Sequence, residues 1–160
     1  MTLNFTVAPA QNGQTLRDIL RRNEVSATLL RSIKRQGGFF CNGVAVHTNI
    51  PAQTGDVISF ALPPEEETTV IPENLPIDIV FENEHAMVLN KPAGQTVHPT
   101  RGYISGTLAN AFCGEMQRRG KNTVFRPVNR IDRNTSGLVL CAMHVYAAPL
   151  LAKSVQKIYY

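Results

Sequence analysis

The sequence predicts an α+β protein built in two parts, each combining short helices with largely antiparallel strands. Three observations carry that expectation. Residues 14–62 hold two capped helix patterns followed by an Asn-Gly hairpin signal. Residues 63–74 are a proline- and glutamate-containing break. Residues 75–160 alternate strand-forming runs with helix patterns, and the run 138–142 is wholly apolar.

In the first part, residues 5–13 read as a lead-in ending at Gly13. Thr15-Leu16-Arg17-Asp18 has the form of a capping box, and Leu16, Ile19 and Leu20 supply the apolar stripe of a helix. Ser26 caps a second helix with Leu29, Leu30 and Ile33 facing inward, ended by Gly37 and Gly38. Arg31, Lys34 and Arg35 share one exposed face of it. Three charges on a helix more often mark a solvated face, but no acidic residue is interleaved here, so a phosphate-contacting patch is the sharper reading. Phe39 to Val46 contains Asn42-Gly43 between apolar runs, a hairpin, and Thr54-Gly55-Asp56 turns the chain into a strand at Val57–Leu62.

Pro63 to Thr69 carries three consecutive glutamates and reads as a solvated linker. Beyond it, Leu75–Phe81 and Ala86–Leu89 are expected as two strands of a hairpin. Lys91 to Pro99 is a constrained loop in which His98 is a candidate base or ligand, although a histidine beside prolines is more often a hydrogen-bonded loop residue. Thr107 caps a helix with Leu108, Ala111 and Phe112 inward. The cluster Arg118, Arg119 and Lys121 at its end suits either the helix dipole or a phosphate. Ala147–Val155 reads as a short helix, and Lys157 to Tyr160 as the start of another strand.

The stretch Arg126–Ala142 is the centre of the second part. Asp132 sits between Arg130 and Arg133, followed by the turn-forming Asn134, Thr135, Ser136 and Gly137, then the apolar run. A carboxylate is thereby placed on a polar loop anchored to a core strand. Flanking positive charge favours its ionised form, which suits a nucleophile or base. An Arg-x-Asp-Arg turn taken alone is more often an ion-paired loop than a catalytic one.

The net charge of +4 is unevenly spread. Residues 1–62 carry 6 basic and 3 acidic side chains, 63–85 none and 7, and 86–160 10 and 2. Two basic segments around an acidic connector favour a polyanion as partner, with nucleic acid first. Cys41, Cys113 and Cys141 are odd in number and far apart, so buried small residues in a reducing cytoplasm are expected. No run of apolar residues is long enough to cross a membrane as a helix.

Two helices, an Asn-Gly hairpin and a Gly-Asp turn into a strand resemble the S4-type RNA-binding domain over about residues 14–62. That resemblance implies RNA contact through the helix bearing Arg31, Lys34 and Arg35. Asn129-Arg130-Ile131-Asp132-Arg133-Asn134-Thr135-Ser136-Gly137-Leu138 closely resembles the central signature of the RluA-type pseudouridine synthases. Lys91-Pro92-Ala93-Gly94 with His98-Pro99 is similar to that family's first motif, and Val155-x-Lys157-x-Tyr159 to its tyrosine motif. The likeness implies Asp132 as catalytic aspartate, Arg130 filling the space left by an unstacked nucleotide, and Tyr159 against the uracil. Arg133 matches a motif position, and phosphate contact or bracing of the loop is our own inference for it. The reaction implied needs no cofactor and no metal. Large-subunit ribosomal RNA is the first expected substrate and transfer RNA the second.

Asn129 stands where the family has His, for which only a changed loop hydrogen bond is expected. The family's catalytic domain continues past residue 160, so 75–160 reads as its incomplete N-terminal part after an S4-type domain at 1–62 and a linker at 63–74. The alternatives are a noncatalytic RNA-binding protein and an inactive partial synthase.

Overall fold

A computed structural model describes residues 1–159, with the side chain of Tyr159 and all of Tyr160 outside the described part. The chain forms two compact units, Met1–Pro64 and a second from Glu65 on.

In the first unit, strands β1 (Thr2–Thr6), β2 (Phe39–Cys41), β3 (Val44–Val46) and β4 (Val57–Ala61) form one antiparallel sheet in the order β1-β4-β2-β3. Helices α1 (Leu16–Arg22) and α2 (Ala27–Arg35) begin at the two expected caps. Thr15 Oγ1 accepts from the Asp18 amide at 3.2 Å and Ser26 Oγ from the Leu29 amide at 3.1 Å. Leu16, Ile19, Leu20, Leu29, Leu30 and Ile33 are buried, as their helical spacing requires. Asn42 and Gly43 both take positive φ, 50° and 81°, the pair of angles a tight hairpin of this twist demands. Asn42 also accepts from the Val57 amide at 2.9 Å and donates to Asp56 at 3.0 Å, tying hairpin to β4. The lead-in expectation fails at its front. Thr2–Thr6 alternates polar and apolar residues, with Phe5 stacked on Phe60 at 5.8 Å, and it pairs with β4 as a strand.

In the second unit, β5 (Ile79–Glu82), β6 (Ala86–Lys91), β7 (Arg126–Pro127) and β8 (Gly137–Ala142) are ordered β5-β6-β8-β7. Every pairing among the described strands is antiparallel, so the mixed sheet expected here is not seen in this segment. Helix α3 (Leu108–Arg118) lays Leu108, Ala109, Phe112, Cys113 and Met116 against Met87, Leu89, Val139 and Cys141. The first strand is shorter than expected because Pro76 has no amide hydrogen to offer a ladder. Cys113 and Cys141 are buried while Cys41 is only half-buried, and burial pushes the Cys141 thiol up to about 12.

Two further expectations are corrected. Residues 65–74 are not a free solvated linker. Glu65 pairs with Arg126 at 2.8 Å, Asn110 donates to the Ile71 carbonyl at 2.9 Å, and the Glu73 amide donates to the Asn110 carbonyl at 3.1 Å. The segment straps α3 because α3 ends its capping box in Asn110, whose spare amide hydrogens reach outward. The strand expected at 157–160 is absent as far as Tyr159, because helix α4 (Ala147–Tyr159) runs through it. Extending a helix already begun adds a hydrogen bond per residue, which outweighs the β preference of Ile158 and Tyr159.

Candidate active site

The site is assembled at the end of β6 and the start of β8. Lys91, the last residue of β6, lies opposite Gly137, the first of β8. Its side chain is 0% exposed, yet it carries a cation. The ammonium donates to the carbonyls of Gln95 at 2.6 Å, Pro92 at 2.9 Å and Arg133 at 3.1 Å. Three donors meet three acceptors, which is what makes the burial tolerable. Burial holds the Lys91 pKa below the ordinary lysine value and Arg133 adds to this, while Asp132 opposes it.

The Arg133 carbonyl also accepts from the Gly94 amide at 2.7 Å. The residue directly after Asp132 is therefore stapled to the loop after β6. The Asp132 carbonyl accepts from the Thr135 amide at 3.0 Å, closing a turn that leaves the Asp132 side chain exposed. The flanking guanidiniums do not clasp it. Among the described residues Asp132 has no ion pair within 4.0 Å, because neighbouring residues of a turn project in different directions. Arg133 instead lies over the Tyr103 ring, 4.5 Å from its centroid, a contact sequence reading did not find. Arg130 borders a cleft of about 220 Å³ with Val97, His98, Pro99, Ile131 and Arg133.

His98 packs edge-on against Phe125 at 5.2 Å, and burial, helped by the charge of Arg130, lowers its pKa. Asn129 acts as one more rung of the sheet. Its side-chain oxygen accepts from the Leu140 amide at 2.7 Å and its nitrogen donates to the Leu138 carbonyl at 3.0 Å. Together with the Val128 amide bonded to the Leu140 carbonyl at 2.8 Å, this fixes where the Arg130–Asp132 loop leaves the sheet. Tyr159 belongs to α4, and its side chain lies outside the described residues.

Arg31, Lys34 and Arg35 are exposed on α2 of the first unit, without an acidic partner among the described residues. The basic cluster after α3 is otherwise engaged. Arg119 forks onto Glu82 at 2.7 and 3.1 Å, and Arg118 reaches Glu115 at 2.6 Å and Asn74 at 2.7 Å.

The family model for RNA pseudouridylate synthases matches residues 85–160, which holds the whole of this assembly. The chain is similar to the RNA pseudouridine synthase YlyB of Bacillus subtilis, 35% identical over 147 residues, 88% of this chain and 48% of the relative. It is similar also to YhcT of the same organism, 31% identical over 156 residues, 97% of this chain and 52% of the relative. A ribosomal large subunit pseudouridine synthase D of Xylella fastidiosa is 34% identical over 130 residues, 81% of this chain and 39% of that protein. The chain thus spans about half the length of the curated relatives it matches. Within the matched segment, Lys91 and Asn129 position the Asp132 loop.

Proposed function

We propose that this chain serves the isomerisation of uridine to pseudouridine in RNA, with Asp132 as the reacting carboxylate. The observation that carries the reading is the stapled loop: an exposed carboxylate whose neighbours Arg130, Ile131 and Arg133 line a cleft, inside the segment that the family model matches. In the reaction the N1–C1′ bond breaks, the uracil turns, and C5 bonds to C1′. The proton on C5 is lost and N1 regains one, so substrate and product are isomers and no oxidant, donor or cofactor is called for. Asp132 attacks C1′ or assists proton removal from the sugar, and is released when C5 returns. The base must leave its stack to reach such a site, and Arg130 is suited to fill the gap. Tyr159 is assigned to the uracil face by the motif likeness, while phosphate contact or bracing of the loop is our own inference for Arg133.

Large-subunit ribosomal RNA is the first substrate, since relatives of this chain in Xylella fastidiosa and Pasteurella multocida carry that substrate in their names. Transfer RNA is second. The first unit is proposed as an S4-type RNA-binding domain acting through Arg31, Lys34 and Arg35. Two capped helices before a hairpin sheet, with three cations on one helix face, support it. The setting proposed is the cytoplasm. Among the described residues no helix is long and apolar enough to cross a membrane.

The test is to incubate ribosomal RNA with the protein and with Asp132→Asn, reading pseudouridine by carbodiimide-dependent reverse-transcription stops. Stops with the first protein alone are expected. Equal yield from both would remove Asp132 from the chemistry. RNA binding without catalysis is a second reading, favoured by the exposed cations Arg31, Lys34 and Arg35 on α2. Retained RNA affinity with no stops from either protein would select it.

A further inference from the structure

A second cavity, of about 420 Å³, shares His98 and Pro99 with the cleft beside Arg130. Its other walls include Val70 and Ile71 of the strap, Ile104, and Asn110 of α3. Two of its lining residues stand out to solvent, Ile71 at 71% and Ile104 at 75% exposed, and Tyr103, next to Ile104 in the chain, is 45% exposed. Single exposed apolar residues need no explanation, but several beside a cavity do. Tyr103 is held in place twice. Its backbone closes a turn with Thr100 through two 2.9 Å hydrogen bonds, and its ring carries the Arg133 guanidinium. Arg101, at the tip of that turn, is exposed and without an acidic partner among the described residues. No acidic side chain lines either cavity.

Cations alternating with an aromatic ring and apolar faces, beside a hollow, make the combination by which single-stranded nucleic acid is held. The backbone follows the charge and the bases stack on the platform. We propose that Tyr103 and Ile104 form a base platform, and that the cavity behind them receives an unstacked base neighbouring the target uridine. Arg101 and Arg133 would hold the phosphates on either side. The proposal rests on the reading of the second unit as an RNA-modifying site and adds to it a determinant of which sequence is accepted. The His98 ring, whose pKa is lowered by burial and by Arg130, offers this base a hydrogen-bonding edge.

The test measures binding, not turnover, and uses the full chain carrying Asp132→Asn. Two probes are compared by fluorescence anisotropy: a labelled oligouridylate of about 12 nucleotides and an abasic ribose-phosphate strand of equal length. Stacking of one base contributes about 1–3 kcal/mol, so the oligouridylate is expected to bind at least fivefold more tightly. Adding Tyr103→Ala or Ile104→Asp should shrink that ratio several-fold, while Tyr103→Phe retains it. In the chain without these two changes, a 4-thiouridine version of the probe should crosslink to the segment 98–104 whether or not the variants fold. A ratio near one, a ratio indifferent to both substitutions, or crosslinks confined elsewhere would overturn the platform. None of those results bears on Asp132, whose role falls only if pseudouridine yield survives Asp132→Asn.

Discussion

Lys91 and Arg133, 42 positions apart, are joined by a 3.1 Å hydrogen bond from the ammonium to the carbonyl. That bond couples the floor of the sheet to the loop that presents Asp132. It also explains why a cation sits fully buried between two strands, where charge is otherwise avoided. Lys91→Met should therefore cost roughly 2–4 kcal/mol, because the Pro92 and Gln95 carbonyls lose their partner. Urea unfolding measures the loss. Pseudouridine yield should fall further than stability alone accounts for, since the Arg133 carbonyl beside Asp132 loses one of its two donors. An unchanged urea midpoint would show that the ammonium does not hold the loop.

Gly114 lies inside α3, where alanine ordinarily stabilises by about 1 kcal/mol. Here a Cβ would fall onto the Glu73 carbonyl oxygen, too close for any real contact. The strap must then move, and with it the Glu73 carboxylate that accepts from the Gly106 amide at 2.9 Å. Gly114→Ala is expected to destabilise by about 1–3 kcal/mol, the range for overpacking, with a lowered melting temperature as the readout. A raised melting temperature would mean the strap is not seated on α3.

His85 and His144 form a directed chain. The Ala147 amide donates to His144 Nδ1 at 3.1 Å, so neutral His144 holds its hydrogen on Nε2. That hydrogen points to His85 Nδ1 at 2.9 Å, and His85 Nε2 lies 3.2 Å from Glu84. A proton added to His144 Nδ1 would face the Ala147 amide. Burial first, then the neighbouring His85, holds the His144 pKa below the ordinary histidine value. The folded protein thus binds this proton more weakly than the unfolded chain, so its stabilising effect is complete above about pH 6.5 and is lost as pH falls through the lower folded value. His98 acts in the same direction. Unfolding midpoints in urea at pH 7.5 and 5.5 should differ less in His144→Gln than in the parent protein. An equal pH dependence would acquit His144.

The α2 cations make a prediction independent of catalysis. Replacing Arg31, Lys34 and Arg35 together with glutamine preserves helix propensity and removes three exposed charges. RNA affinity should fall, and the slope of log affinity against log salt should flatten by about 2 for single-stranded RNA. Filter binding across a salt series measures it. An unaltered slope would assign these residues to a merely solvated face.

Local rules made much of the chain legible. Thr15, Ser26 and Thr107 are helix caps because a hydroxyl placed before an apolar stripe has a free amide to satisfy. Asn42-Gly43 turns the chain because its two angles suit few other residues. Asp132 stood out through the order of its neighbours, a pattern written along the sequence. What failed had no local rule. Thr2–Thr6 is a strand only because β4 lies beside it, and residues 65–74 are a strap only because α3 offers Asn110 and the bare surface of Gly114.

The linear order of residues determined the helices, the hairpin, the charge division and the acidic residue at the centre of the motif. Folding in three dimensions decided what holds that residue. The Lys91 ammonium, the Asn129 amide and the Tyr103 ring do so from 41, 3 and 29 positions away. Hydrogen bonds and ring contacts act over a few ångströms of space without regard to separation along the chain. A sequence can therefore display a reactive group, but the clasp that aims it becomes visible only when distant segments meet.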